Sequence, residues 1–250
     1  MPTAAPTLVE LLKAGTHFGH RKGKWHPKMA PYIFAERSGV HIIDLEKTQS
    51  QLAAACDFVR SLVERGGTIV FVGTKRQVNP VIRSEAMRCG MPYVDSRWLG
   101  GTITNFAVIR RVIERYLSLK SQEAKGELSK YTKKEQVEIR RDIERMEKLV
   151  GGIQTLERIP EALFVVDVKH ERTAVHEALR KGIPIVAMAD TNANPSGILH
   201  VIPANDDASR SVALVTTMIA EAVLEGKQAA EAEAVAKAAA AQAAAEVKTT

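Results

Sequence analysis

The stretch TIVFVGTKRQVNPVIRSEAMRCG, residues 68–90, contains in one piece the pattern that decides the fold. It opens with Thr68–Val72, a nearly continuous apolar run that is typical of a strand covered on both faces of a parallel sheet. Pro80 follows Asn79 at a first helical turn, and Gly90 ends the helical pattern. The stretch therefore predicts a strand, a loop and a helix, which together make one α/β unit.

The same unit recurs along most of the chain. Further apolar runs predict strands at Pro92–Val94, Leu163–Asp167, Pro184–Asp190 and Leu199–Ile202. Helical patterns with a polar residue in front and glycine behind cover Leu45–Arg65, His170–Lys181 and Asp206–Glu225. Strands that alternate with helices predict the α/β class, here a doubly wound parallel sheet with helices on both faces.

Residues 104–151 break this alternation, because they contain two helical patterns and no strand. The apolar positions that step by three and four are Phe106, Ile109, Ile113 and Tyr116, then Ile139, Ile143, Met146 and Val150. Two narrow apolar stripes joined by a turn predict an inserted antiparallel coiled-coil helical hairpin, whose seam buries only its own partner. Residues 1–103 and 152–226 then form one discontinuous α/β domain. The alanine-rich tail, residues 227–250, is predicted to be a frayed helix or disordered.

The composition limits the class of protein. The 250 residues include 35 Lys and Arg against 29 Asp and Glu, which gives a net charge of +6 at pH 7. A basic balance favours polyanionic partners, because each neutralised phosphate releases counterions. Cys56 and Cys89 match no metal-ligand spacing, and no apolar segment is long enough to cross a bilayer. These features predict a cytoplasmic protein without a membrane partner.

The segment from Lys13 to Lys28 is the plainest functional feature. It contains no acidic residue, and its cations alternate with aromatic and imidazole rings. The residues predicted to contact RNA here are Arg21, Lys22, Lys24, Trp25 and Lys28. Cations bind phosphates, and flat rings stack on exposed bases. The alternative is that Phe18 or Trp25 packs in the core.

A second basic cluster follows two of the predicted strands. Lys75 and Arg76 come after the first run, and Arg97 and Trp98 follow Pro92–Val94. The carboxyl ends of parallel strands form the ligand-binding edge of such sheets, so these four residues are also predicted to contact RNA. For Trp98, a structural anchor at the base of the hairpin is an equal alternative. The hairpin itself has 12 Lys and Arg against 8 Asp and Glu over residues 104–150, which fits either a solvated surface or an arm that contacts RNA or protein.

Motifs for catalysis are incomplete. The sequence Gly73-Thr74-Lys75 lacks the second glycine of a phosphate-binding loop, and the spacing of His170 and His176 does not fit a zinc-protease helix. The sequence therefore predicts that the protein is not an enzyme, with a nucleotide-dependent α/β enzyme as the alternative. No cofactor is predicted. The candidate ligands for a divalent cation are His17, His20, Asp190 and Asp206.

Four motifs occur along the chain in the order HFGH (17–20), GTKRQ (73–77), RWLGGTITN (97–105) and PANDD (203–207). Together they resemble the bacterial small-subunit ribosomal protein two family, and the matching stretches cover most of residues 8–225 in the family's order. The sequence departs from the family at Asn194 or Ser196, where members often have an acidic residue. This departure weakens a carboxylate-rich metal site near Asp190. The alanine-rich tail is not a family feature.

The resemblance implies an α/β sandwich with an inserted coiled-coil hairpin, bound to small-subunit rRNA. It implies a structural role on the ribosome in the cytoplasm, late addition during assembly and a platform for ribosomal protein one, which captures mRNA. Other expected partners are neighbouring small-subunit ribosomal proteins, and no homo-oligomer is expected. The RNA contacts carry over onto matched basic positions, which are Arg21, Lys22, Lys24, Lys28, Lys75, Arg76 and Arg97.

Overall fold

The computed structural model describes the backbone of residues 5–247 and the side chains of residues 5–234. The strands of this part of the chain are β1 (Phe18–Arg21), β2 (Ile33–Arg37), β3 (Val40–Ile43), β4 (Ile69–Val72), β5 (Tyr93–Val94), β6 (Ala162–Val166), β7 (Ile185–Ala189) and β8 (His200–Pro203). The α-helices are α1 (Leu8–Ala14), α2 (Leu45–Glu64), α3 (Asn79–Cys89), α4 (Phe106–Ala124), α5 (Lys133–Val150), α6 (Arg172–Lys181) and α7 (Ser209–Val247).

The centre of the molecule is a parallel sheet of five strands in the order β5-β4-β6-β7-β8. The register places Val70 opposite Leu163 and Val72 opposite Val165. Every residue of β4, β6 and β7 is buried, which explains why these strands read as continuous apolar runs. The predicted α/β class and parallel sheet are confirmed, and all five predicted runs become its strands.

Helices cover both faces of this sheet. On one face α2, α3 and α7 pack over an apolar layer in which Phe71 and Phe164 meet edge to face, with ring centroids 5.3 Å apart. On the other face α6 and the base of the α4–α5 pair cover a second layer, which includes Leu163 and Val165. Because apolar layers cover both faces of the sheet, polar side chains gather at its carboxyl edge, where the loops emerge.

Helices α4 and α5 lie antiparallel against each other. Lys120 pairs with Glu147 at 3.3 Å and Arg140 pairs with Glu123 at 3.2 Å, so the ion pairs cross between the two helices. The seam residues, among them the fully buried Tyr116, belong to the same apolar cluster as the sheet residues of that face. The expectation that the seam buries only its own partner is therefore wrong, because its base continues into the core of the α/β body. The coiled-coil geometry and the division into domains stay predictions.

Two further features differ from the sequence prediction. Strands β1, β3 and β2 form a separate antiparallel sheet, in that order, where no strand was predicted. Helix α7 does not end at Gly226 but continues to Val247. Gly226 lies inside this helix, and the position needs glycine because α2 packs against it so closely that an added Cβ would lie 2.7 Å from the Arg60 carbonyl oxygen. No helix within the described residues is long and apolar enough to cross a membrane.

Candidate nucleic-acid interface

The carboxyl edge of the parallel sheet holds a cluster of carboxylates around one lysine. The loops after β6, β7 and β8 supply Asp167, Asp190 and the neighbouring pair Asp206 and Asp207. Lys75, in the loop after β4, reaches across the edge with its Nζ atom. This atom lies 3.0 Å from Asp206 Oδ1 and 2.8 Å from Asp207 Oδ1, and it also contacts Asp167 Oδ2.

The cluster is buried enough to shift the pKa values of its members. Burial, together with repulsion from Asp167 and Asp190, raises the pKa of Asp206 to about 7, although Lys75 acts in the opposite direction. Burial lowers the pKa of Lys75, but the surrounding carboxylates outweigh burial and hold this pKa above its usual value. Lys75 is 16% exposed and is engaged by three carboxylates. Lys75 therefore offers little free charge to a phosphate, because its charge is neutralised inside the protein, and its contact with RNA stays a prediction.

The basic segment from Lys13 to Lys28, called the N-terminal segment below, is fastened to the same edge through His20. Its Nδ1 atom lies 2.8 Å from Asp190 Oδ2, and its backbone N–H donates to the Thr191 hydroxyl at 2.9 Å. The hydrogen bond to Asp190 raises the pKa of His20, against the effect of burial. Gly19 packs so closely that an added Cβ would lie 2.7 Å from Thr191 Cγ2. The segment therefore lies against the ends of β7 and β8, with a shallow cavity of about 330 Å³ between them.

The candidate metal ligands are only partly brought together. His20 and Asp190 are in contact, whereas Asp206 is bound to Lys75, and His17 is half-buried beside Phe18. Nowhere in residues 5–234 do three or more His, Cys, Asp or Glu side chains have an arrangement that could hold a metal ion.

Most of the predicted cations of the N-terminal segment lie on the surface. The exposed residues are Arg21, Lys22, Lys24 and Lys28. Lys22 pairs with Glu36 at 2.8 Å, and Lys28 Nζ donates to the Ser196 hydroxyl at 2.6 Å. Arg21 and Lys24 form no ion pair within the residues whose side chains are described. These two side chains are therefore the ones most available to an external phosphate.

The rings of this segment are also at the surface. Phe18 is 51% exposed and Trp25 is 38% exposed, so neither is a core residue and the alternative that one of them packs in the core is wrong. Trp25 rests on His41, with ring centroids 5.4 Å apart, while Phe18 rests on His17 at 4.0 Å. Each ring keeps a free area that could stack on a base.

The second basic cluster divides into exposed and buried members. Arg76 and Arg97 are exposed, and neither has an acidic partner among the described side chains. Trp98 is only 7% exposed, and its indole N–H donates to Glu177 Oε1 at 3.1 Å. Little of the Trp98 ring is therefore free to stack on RNA, so this contact stays a prediction, and the alternative, an anchor at the base of the hairpin, agrees with its position.

Glu177, which the sequence reasoning missed, organises the loop before the hairpin. Its carboxylate accepts hydrogen bonds from the backbone N–H groups of Gly101, Ile103 and Thr104, as well as from the Thr104 hydroxyl and Trp98. Burial raises the pKa of Glu177, but these donors outweigh burial and hold the pKa below its usual value. The only sequence signal was an acidic residue between the apolar positions of α6.

The loop after β4, which contains the sequence Gly73-Thr74-Lys75, does not have the geometry of a nucleotide-binding loop. The N–H and hydroxyl of Thr74 both donate to the buried Glu171 carboxylate, at 2.8 Å and 2.6 Å, so the groups that would hold a phosphate already hold a carboxylate. Gly73 is small for a packing reason, since an added Cβ would lie 2.8 Å from both Ile82 and Val78. The loop therefore fits the role of a packed connection, and it lacks the open cradle of a phosphate loop.

Comparison with known proteins agrees with this geometry. The family described as ribosomal protein S2 matches residues 11–226. The chain belongs to this family. A small ribosomal subunit protein uS2 from Coprothermobacter proteolyticus is 49% identical over 225 residues, which cover 90% of this chain and 84% of the relative. The resemblance drawn from the sequence motifs is thus confirmed.

Membership of the ribosomal protein S2 family decides between the two function classes. Proteins of this family are structural components of the ribosome and not enzymes. The nucleotide-dependent enzyme is therefore set aside, in agreement with the filled loop at Thr74. The exposed cations of the N-terminal segment are then the candidate binding site of the protein.

Proposed function

We propose that this chain is a structural constituent of the small ribosomal subunit in the cytoplasm and binds small-subunit rRNA through the exposed cations of its N-terminal segment. One observation carries the proposal. The His20–Asp190 contact fixes the segment Arg21–Lys28 on the body of the protein, and the cations of that segment lie on the surface. The charges of Arg21 and Lys24, which form no ion pair among the described side chains, are available to phosphates without any rearrangement of the fold.

Arg76 and Arg97 extend this surface in the proposal. They follow β4 and β5, which lie at one end of the parallel sheet, while the N-terminal segment lies over β7 and β8 at the other end. The acidic cluster between them is neutralised in part by Lys75, which limits its repulsion of RNA. Two groups of exposed cations along one edge suit a partner that is long and polyanionic, as rRNA is.

The salt dependence of rRNA binding tests the proposal. For the wild-type chain we expect the affinity for small-subunit rRNA to fall steeply with salt, because counterions are released from the contacted phosphates. Replacing Arg21, Lys22 and Lys24 with Gln should reduce the magnitude of the log–log slope by about 2 and weaken incorporation into small subunits, with unchanged thermal unfolding. Lys22 should contribute least, because Glu36 already pairs with it.

A matched control removes the same charge from another surface. Arg65, Arg180 and Lys181 are exposed at the C-terminal ends of α2 and α6, which lead into β4 and β7 at the opposite edge of the sheet, and their replacement with Gln should leave the slope nearly unchanged. Equal losses in both triple variants would mean that only net charge matters. Wild-type occupancy of subunits by the N-terminal triple variant would refute the proposed contact.

Late addition during assembly and the docking of ribosomal protein one belong to the same proposal, and the resemblance to the family is what supports them. If the protein joins late, small-subunit particles from cells depleted of this chain should contain the proteins that join early at normal occupancy and should lack ribosomal protein one. Normal occupancy of ribosomal protein one in these particles would refute the docking role.

A further inference from the structure

The small antiparallel sheet has one face towards the body and one towards solvent. In β3 the side chains of His41 and Ile43 are buried, whereas Val40 and Ile42 between them are half-buried. Successive side chains of a strand point to opposite faces, so Val40 and Ile42 mark the outward face. Strand pairing then identifies which residues of β1 and β2 share that face with them.

Two rows of residues cross the outward face. Ile42 lies opposite Phe18 on one side and Ala35 on the other. Val40 lies opposite Arg21 and Arg37, and residues directly opposite each other share a face. One row is therefore apolar with a phenylalanine at its end, and the neighbouring row carries an arginine at each end.

A register irregularity in β1 creates this arrangement. Between Phe18 and Arg21 the strand advances three residues while β3 advances two. The extra residue allows both Phe18 and Arg21 to face outward, although His20 between them turns to Asp190. Because of this irregularity, His20 faces the body and fastens the strand, whereas Phe18 and Arg21 face the side on which a partner would bind.

The outward face lacks a partner for its ring and for its charges. Phe18 contacts the His17 ring on one side and is otherwise half exposed. Arg21 and Arg37 are exposed, and neither pairs with an acid among residues 5–234. The nearest acid along β2, Glu36, is already paired with Lys22. The face thus combines a free aromatic ring with two uncompensated positive charges.

We infer that this face binds a single-stranded segment of RNA, with one unpaired base stacked on Phe18 and the adjoining phosphates held by Arg21 and Arg37. The two arginines argue for a polyanion over a protein surface, and the ring argues for an exposed base over a duplex, whose bases are stacked on each other. Ile42 and Ala35 supply a flat apolar floor beside the ring. The inference rests on the proposed rRNA binding and adds the form of RNA that is recognised.

Binding of the full-length chain to a short single-stranded oligoadenylate, compared with the same strand paired to its complement, tests the inference. Phe18→Ala should weaken binding of the single strand about 10-fold. A 2-aminopurine placed in the strand should show the fluorescence change caused by stacking when it binds the wild type, and should lose this change with Phe18→Ala. The salt dependence should not change, because no charge is removed. Arg21→Gln and Arg37→Gln should instead weaken both forms of RNA and flatten the salt dependence.

Three further variants make the result specific. Phe18→Leu keeps apolar area without an aromatic ring and should resemble Phe18→Ala, whereas Phe18→Trp should bind as the wild type does. Phe34→Ala is the matched control, because Phe34 is 76% exposed on β2 but lies outside both rows. A loss in Phe34→Ala equal to that in Phe18→Ala would overturn the assignment of the stacking residue.

Other outcomes separate this inference from the proposed function. If Phe18→Ala binds both RNAs as the wild type does while the arginine variants bind weakly, the stacking site is refuted and electrostatic RNA binding stands. If Phe18→Ala binds RNA normally but fails to enter small subunits, the occupant of the face is a protein and the inference is overturned. If the wild type does not bind RNA at all, the proposed function itself is refuted.

Discussion

Adjacent residues of the same charge have opposite roles in this protein. Lys75 is turned inward to three carboxylates, whereas Arg76 next to it lies on the surface. The sequence placed both at the carboxyl edge correctly, because each follows an apolar run. It could not tell them apart, since the partners of Lys75 come from loops that lie more than 90 residues further along the chain.

This difference predicts opposite effects of two neighbouring substitutions. Lys75→Met should lower the free energy of unfolding by about 3 kcal/mol, because it leaves buried carboxylates without a cation. Arg76→Met should change stability by less than about 0.5 kcal/mol and should weaken RNA binding instead. Urea unfolding and salt-dependent rRNA binding measure the two effects. Equal stability of the two variants would contradict the buried role of Lys75.

Asp206 makes the stability of the fold depend on pH. Its pKa is raised from 3.8 to about 7, so the folded state favours the protonated form. The resulting stabilisation is complete below about pH 3.8 and is lost as the pH rises through about 7. His20, whose pKa is also raised, contributes with the same sign. In urea titrations, the decline in unfolding free energy between these pH values should be smaller in Asp206→Asn than in the wild type.

Asp207→Asn is the control for this experiment. Burial raises the pKa of Asp207, but hydrogen bonding to Lys75 and its positive charge outweigh burial and lower it overall. The stability that Asp207 contributes is therefore lost as the pH falls, in the acidic range, and its removal should leave the decline towards pH 7 in place. An unchanged decline in Asp206→Asn would show that another group causes it.

Strands and helices that have a clear local pattern of apolar residues could be predicted from the sequence. Elements whose positions depend on contacts with distant parts of the chain could not. The strands of the parallel sheet are buried on both faces, so their apolar runs mark them within about one residue. The small sheet was missed because its strands are short, irregular in register and exposed on one face. The end of α7 was misplaced because Gly226, a usual stop signal, is required there for packing against α2.

Two glycines after α5 lie where the base of the hairpin packs on the sheet. Gly152 lies against β5, where an added Cβ would be 2.3 Å from the Tyr93 carbonyl oxygen. Gly152→Ala should therefore push the base of the hairpin away from the sheet and cost about 1–3 kcal/mol of stability. At Gly151 the nearest atom to an added Cβ is Glu147 Cγ at 3.2 Å, which belongs to a flexible side chain.

Gly151→Ala is thus the matched control, since it adds the same methyl group one residue earlier. We expect its unfolding midpoint in urea to stay close to that of the wild type. Gly151 has ordinary helical backbone angles (φ −58°, ψ −37°), so similar losses in both variants would contradict the role of the limited space beside Tyr93.

The helices α2, α3 and α7 share one apolar layer, and each of the two cysteines lies in it. Burial raises the pKa of Cys56 to about 12 and that of Cys89 to about 11, so both thiols are protonated at neutral pH. A protonated and buried thiol reacts only when the layer opens.

Alkylation followed by mass spectrometry should therefore report on global unfolding. In buffer, Cys56 and Cys89 should react slowly and at the same rate, and in urea both should react at once. Much faster labelling of Cys89 in buffer would show that α3 opens independently of α2 and α7, against a single cooperative layer.

The sequence distance between Glu177 and the loop that it holds affects the order in which parts of the chain can fold during synthesis. Its donors lie between 73 and 79 residues before the carboxylate that accepts them. Helices α4 and α5 contact each other through neighbouring stretches and are complete before α6 leaves the peptide tunnel. The hairpin can therefore form early, but the direction in which it leaves the body is fixed only when Glu177 has been synthesised.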